Sequence, residues 1–187
     1  MSILNLGLNP REGTFHYPVI RTERCGAIEP ALSLWPQFTH MIFTSQTAVH
    51  YWPGPWDKPT IAIGQATAAA LRARGCTPLI APEATQEGII ALIAQLPGYF
   101  FWPKSRLARS ALTDYFQARI YALDLYDTLF QQLEPVPRLD DFDEILFTSP
   151  STVGGFLRIY GELPQGKKLT PIGPVTGRRI DAYSKPH

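Results

Sequence analysis

Short apolar runs alternate with helical patterns along this chain, and that alternation predicts an α/β protein built on parallel sheets with covering helices. A repeat predicts that there are two such sheets. Phe38-Thr39-His40-Met41-Ile42-Phe43-Thr44-Ser45-Gln46-Thr47-Ala48-Val49 reappears as Phe142-Asp143-Glu144-Ile145-Leu146-Phe147-Thr148-Ser149-Pro150-Ser151-Thr152-Val153, each an apolar strand running into a Thr-Ser turn that opens a helix. A second echo follows each copy: Ile61-Ala62-Ile63-Gly64-Gln65-Ala66-Thr67, then Thr170-Pro171-Ile172-Gly173-Pro174-Val175-Thr176. Two extended runs, residues 15–21 and 119–128, bracket the first copy, a pattern expected when one domain is inserted into another. The expected partition is an outer α/β domain of residues 1–17 plus 128–187 and an inserted α/β domain of residues 18–127.

Taken in order, the strand-like runs are residues 3–8, 17–21, 41–44, 60–63, 78–81, 99–102, 120–126, 144–148 and 169–172, each apolar and bounded by Pro, Gly or polar turns. Residues 66–74 are Ala-rich and stop at Gly75, so they read as a helix closed by a C-terminal glycine. Residues 85–95 open with Thr85 ahead of Glu87 and Gly88, the composition of a helix start. Residues 106–117 are amphipathic and read as a third helix. Proline clusters in turns such as Trp52-Pro53-Gly54-Pro55.

With 187 residues and 45% hydrophobic content the chain can bury a real core. Its net charge of +1 argues against bulk binding to nucleic acid or to an anionic membrane surface. Cys25 and Cys76 show no C-x-x-C spacing and read as inert buried thiols in a reducing compartment. His16, His40, His50 and His187 lack metal-ligand spacing. Gly64-Gln65-Ala66-Thr67 is neither G-x-G-x-x-G nor a P-loop, which counts against a nucleotide-dependent enzyme. Adjacent carboxylates at Asp140, Asp141, Asp143 and Glu144 read as a solvated loop at the end of a strand opposite the Thr-Ser turn. No basic region precedes an apolar run, and no run approaches a membrane span, so a soluble cytoplasmic protein is expected.

The repeated turns are candidate anion sites. A helix N-terminus presents unpaired N–H groups and about half a positive charge, and Ser45, Thr67, Ser149 and Thr176 stand where a hydroxyl joins those groups. Gly64, Gly173 and Ser151 share the same turns, and Lys104, Arg106 and Arg109 add positive charge after the strand at 99–102. The plain alternative for each Ser and Thr is helix capping, and for the basic residues a solvated helix face.

Phe43-Thr44-Ser45, Ile63-Gly64-Gln65-Ala66-Thr67, Glu83-Ala84-Thr85, Tyr126-Asp127-Thr128, Phe147-Thr148-Ser149-Pro150-Ser151 and Ile172-Gly173-Pro174-Val175-Thr176, in this order and spacing, resemble the uroporphyrinogen-III synthase family. The resemblance runs from about Leu4 to Ile180. It implies two flavodoxin-like α/β domains joined by two extended connecting strands with a cleft between them. It also implies a cofactor-free monomer that cyclises hydroxymethylbilane, which bears two carboxylates on each ring, to uroporphyrinogen III with inversion of the last ring. Tyr126 matches the family's cleft tyrosine and is the implied catalytic residue; Ser45, Gly64, Thr67, Lys104, Ser149, Ser151, Gly173 and Thr176 form the implied substrate-binding set. Two departures stand out: Leu8-Asn9-Pro10 passes to Gly13 without a helix after the first strand, and the outer half reads as trimmed by about one β-α unit before His187. A non-catalytic two-domain binder of an anionic small molecule is the alternative reading.

Overall fold

The computed structural model describes residues 2–184. The reading of His187 lies outside them. The chain divides into two compact units: one holds the chain up to Thr22 and from Thr128 onward, and the other is Glu23–Asp127.

The strands are β1 (Ile3–Asn5), β2 (Phe15–His16), β3 (Ile20–Arg24), β4 (His40–Phe43), β5 (Thr60–Ala62), β6 (Leu79–Ile80), β7 (Phe100–Ser105), β8 (Ile120–Phe130), β9 (Glu144–Phe147) and β10 (Lys168–Pro171). The helices are α1 (Glu29–Ser33), α2 (Gln46–Tyr51), α3 (Gln65–Arg72), α4 (Gln86–Ile93), α5 (Ala111–Phe116), α6 (Pro150–Tyr160) and α7 (Pro174–Ser184). The ranges of β3 and β8 cross the boundary between the units.

In the larger unit the sheet runs β3-β8-β7-β4-β5-β6, and the pairings from β6 through β8 are parallel. Its central strands β4, β5 and β7 are buried on both faces, so side-chain alternation sorts them into two cores. Met41, Phe43 and Phe101 pack with Trp35, Trp52, Ala68 and Leu71 on the face of α2 and α3. Ile42, Phe100 and Trp102 pack with Ile89, Ile93, Leu112 and Phe116 on the face of α4 and α5. Winding reverses at β4, whose neighbours β5 and β7 lead in opposite directions. Counted in chain order from β4, the strand order is 3-2-1-4-5, where the family resemblance implies the flavodoxin order 2-1-3-4-5.

In the smaller unit the sheet runs β10-β9-β1-β2, all parallel, which is a flavodoxin order lacking its last strand. Leu4, Leu6, Ile145 and Phe147 meet Val153 and Phe156 of α6 and Ile180 of α7. No helix joins β1 to β2, as the sequence leads one to expect.

The extended run at 15–21 is two strands separated by Tyr17, Pro18 and Val19, where proline supplies no ladder donor. The amphipathic helix expected at 106–117 begins only at Ala111. Residues 106–110 instead form a loop held by contacts to α4: Gln86 donates to the Arg109 carbonyl at 2.9 Å and accepts from the Leu112 N–H at 3.2 Å, while Arg109 grips Glu87 with two bonds. The short α1, carrying Pro30 in its first turn, has no apolar repeat long enough to announce it. Cys25 and Cys76 are half-buried thiols, not fully buried ones. Glu144, read as part of a solvated loop, is 5% exposed and pairs with Lys168 at 3.0 Å.

Candidate active site

In open parallel sheets, ligands bind beyond the carboxyl ends of the strands where the winding reverses. In the larger unit that point lies between β4 and β7, and the chain gathers hydroxyls there. Ser45 ends β4's extension in extended backbone and caps α2, its Oγ accepting the Ala48 N–H at 3.0 Å. Its Oγ also meets the Tyr126 Oη at 2.9 Å. Trp102 on β7 donates its indole N–H to Thr44 Oγ1 at 3.1 Å, tying β7 to the same corner.

Tyr126 comes from β8, the neighbour of β7, and is 6% exposed. Burial raises its phenol above the ordinary value of 10, opposed by the hydroxyls of Ser45, Thr47 and Ser105. The phenol therefore stays protonated throughout the neutral range and can only donate or accept a neutral hydrogen bond there. Tyr51, at the end of α2, packs against its ring with centroids 5.9 Å apart.

The basic residues of this corner are all paired. Lys104 binds Asp124 closely and lies 5.7 Å from the Trp102 ring centre. Arg106 lies 3.2 Å from Asp127, and Arg109 is spent on Glu87. At the next turn, Gly64 begins α3 with extended backbone, and Thr67 in the first turn is 4% exposed.

The smaller unit repeats the pattern at its own reversal, between β1 and β9. Ser149 caps α6 in a reciprocal box: Thr152 N–H donates to Ser149 Oγ at 3.3 Å, and Ser149 N–H donates to Thr152 Oγ1 at 3.2 Å. Ser151, in the first turn of α6, is half-buried. Gly173 precedes α7, and Thr176 is 4% exposed, the counterpart of Thr67. The loop after β1 is fixed from within. Buried Asn5 accepts from the Gly7 N–H at 3.0 Å and donates to the Asn9 carbonyl at 3.0 Å, while His16 Nε2 lies 2.8 Å from the Gly7 carbonyl. Gly7 itself is required by packing, because a Cβ there would come within 2.5 Å of Thr148.

An open cavity of about 520 Å³ lies elsewhere, lined by Gln37, Gly98, Tyr99, Ala118 and Arg119 at the amino ends of β4, β7 and β8. Its Arg119 is occupied by the carbonyls of Gly98 and Leu96, which makes it an anchor for the end of α4. The chemistry-bearing hydroxyls are at the opposite edge, and this cavity holds none of them. Among the described residues no cluster of His, Cys, Asp or Glu could hold a metal ion, and no helix is long and apolar enough to cross a membrane.

The sequence model of the family described as uroporphyrinogen-III synthase HemD matches residues 12–187. The chain belongs to the uroporphyrinogen-III synthase family. Its activity is that of a cyclising hydro-lyase in tetrapyrrole biosynthesis. The chain resembles the crystal structure of uroporphyrinogen-III synthetase from Helicobacter pylori with a TM-score of 0.67 at 15% identity, over 99% of this chain and 90% of that one. It resembles a mutant uroporphyrinogen III synthase from the extremely thermophilic bacterium Thermus thermophilus with a TM-score of 0.66 at 18% identity, over 97% and 88%. A further Thermus thermophilus structure gives 0.52 at 19% identity, over 98% and 90%. At such identities these likenesses speak for the fold. No curated protein matches in sequence.

For a synthase of this family, the structure brings Ser45 and Tyr126 into direct contact, with Thr47 in the first turn of the helix that Ser45 caps and Ser105 opposite Tyr126 in the β ladder. Ser149 and Ser151 lie together in the smaller unit. Lys104 faces Asp124, and Thr67 and Thr176 are nearly inaccessible, so the backbone N–H groups of their turns are the more available donors. Sequence reasoning missed Asn5, His16, Thr47 and Ser105. The last two stand beside residues it chose, and only the fold sets Ser105 opposite Tyr126 on the neighbouring strand.

Proposed function

We propose that this chain converts hydroxymethylbilane to uroporphyrinogen III, with its carboxylates shared among the amide-rich turns of both units. The observation that carries this reading is the Ser45–Tyr126 contact at the winding reversal of the larger unit, matched by the Ser149 cap at that of the smaller. Each helix-terminus contact is worth roughly 0.3 to 1 kcal/mol, so several must act together on one polyacid. A chain of net charge +1 can bind such a ligand through dipoles. The substrate-binding set is Ser45, Gly64, Thr67, Ser149, Ser151, Gly173 and Thr176, with Lys104 joining when a substrate carboxylate exchanges with Asp124.

The reaction begins with departure of the terminal hydroxyl. The pyrrole nitrogen supplies the electrons, the carbon–oxygen bond breaks with its pair on oxygen, and the oxygen leaves as water after taking up a proton. The resulting azafulvene must then meet the substituted carbon of the last ring, form a spiro intermediate, fragment and reclose, shedding a proton at closure. Suppressing the uninverted isomer to about one part in a hundred needs about 2.7 kcal/mol between competing barriers. Fixing the carboxylates supplies it by orientation. Tyr126, protonated and buried, donates a hydrogen bond to the departing hydroxyl.

The two-lobed arrangement, with residues 1–17 plus 128–187 as one domain, 18–127 as the other, two connecting strands and a cleft, belongs to the same proposal, as do a monomeric state and a cytoplasmic location. Incubation of the purified chain with hydroxymethylbilane, followed by separation of the isomers, tests the function. Type III product in clear excess over the buffer control is expected; a mixture no richer than the control leaves the reading of an anion-binding protein.

A further inference from the structure

The pairing of β7 with β8 is irregular at the site. Lys104 pairs with Asp124, yet the next residue, Ser105, pairs with Tyr126, so Leu125 is the extra residue of a β-bulge. In regular pairing Ser105 would oppose Leu125. Bulges re-aim side chains and are frequent beside active sites, and this one sets Ser105 level with the phenol-bearing residue. The Arg106 N–H, donating to the Tyr126 carbonyl at 3.0 Å, fixes the shifted register.

A serine hydroxyl has one hydrogen to give and lone pairs to receive. At Ser105 the Oγ already accepts the Leu107 N–H at 3.2 Å, and at Ser45 the Oγ accepts the Ala48 N–H at 3.0 Å. Each backbone amide takes an acceptor position and leaves the serine hydrogen free to point elsewhere. Resting on the role proposed above for Tyr126, we propose that Ser105 is a positioning residue, delivered by the bulge in β8, which with Ser45 donates to the Tyr126 oxygen and so turns the single phenolic hydrogen outward to the departing hydroxyl of the substrate. Two donors fill the oxygen's lone pairs, so the phenol's own hydrogen cannot be spent on either serine.

The test is a double-mutant cycle on the purified chain with Ser105→Ala, Ser105→Thr, Tyr126→Phe and the Ser105→Ala/Tyr126→Phe pair, reading kcat and KM for type III formation. Ser105→Ala is expected to lower kcat about three- to tenfold, the worth of one hydrogen bond, with KM unchanged. Ser105→Thr, which restores the hydroxyl, is expected to recover most of the rate. In the Tyr126→Phe background the Ser105→Ala change is expected to add nothing, because there is no phenol left to orient. Equal losses in both backgrounds, an unchanged kcat in Ser105→Ala, or a failure of Ser105→Thr to rescue would each overturn the positioning role. An unchanged kcat in Tyr126→Phe would instead remove the role of Tyr126 itself, and the two failures are thereby told apart.

Discussion

A single contact concentrates the chemistry of this chain at the residue scale: the phenol of Tyr126 against the capping hydroxyl of Ser45 at 2.9 Å. A cap and a ligand donor are usually alternative roles for one serine. Here the two coexist, since the oxygen that receives the Ala48 amide also lies within hydrogen-bond distance of the phenol. Tyr126→Phe removes only the hydroxyl from a ring that remains packed against Tyr51. Turnover is expected to fall about tenfold, equivalent to about 1.4 kcal/mol of barrier, with the ratio of type III to type I product nearly unchanged because orientation resides in the carboxylate contacts. Steady-state assay of both isomers checks this; a collapse in the ratio would assign Tyr126 to orientation.

At the scale of elements, the loop from Arg106 to Ser110 is the least regular piece of the site's surroundings, and α4 supplies its support. Glu87 is held by Arg109 well below the ordinary carboxylate value of 4.5, to about 2. The folded chain therefore keeps this carboxylate ionised where the unfolded chain takes up a proton. Its contribution is present above about pH 4.5 and is lost as pH falls toward 2. Both partners are well exposed, so the contribution is at most about 1 kcal/mol. Glu87→Gln is expected to lower the melting temperature slightly at pH 7 and by much less near pH 2. Equal losses at both values would show that the ion pair is not the source. The amphipathic pattern at 106–117 gave no warning of this loop, because a paired Arg and an exposed Leu107 carry the same polarity pattern in a loop as on a helix.

For the whole molecule, phenols shielded from water bear on stability at alkaline pH. Burial pushes Tyr160 up to about 12, and Tyr17 and Tyr126 are raised from 10 by the same cause. Between about pH 10 and 12 the unfolded chain gives up the Tyr160 proton while the folded chain retains it, and Tyr17 and Tyr126 act in the same direction, so stability falls as pH rises through that window. Tyr160→Phe is expected to make the fall less steep in thermal melts across it; an identical slope would acquit this residue.

The sequence by itself determined what depends on neighbours along the chain. Alternating apolar runs located nearly every strand, and the two Thr-Ser copies located two helix starts, because a cap is chosen within a few residues of the helix it opens. The family, too, was legible, since its motifs are local turns in a fixed order. Tertiary structure decided everything that depends on pairing across the sheet. The 3-2-1-4-5 order of the larger unit, the burial of Thr67 and Thr176, the engagement of Lys104 by Asp124 and the meeting of Ser105 with Tyr126 all turn on which strands lie side by side and in what register. A one-residue shift in a β ladder changes which side chains face each other without changing any local pattern, which is why no reading along the chain reveals it.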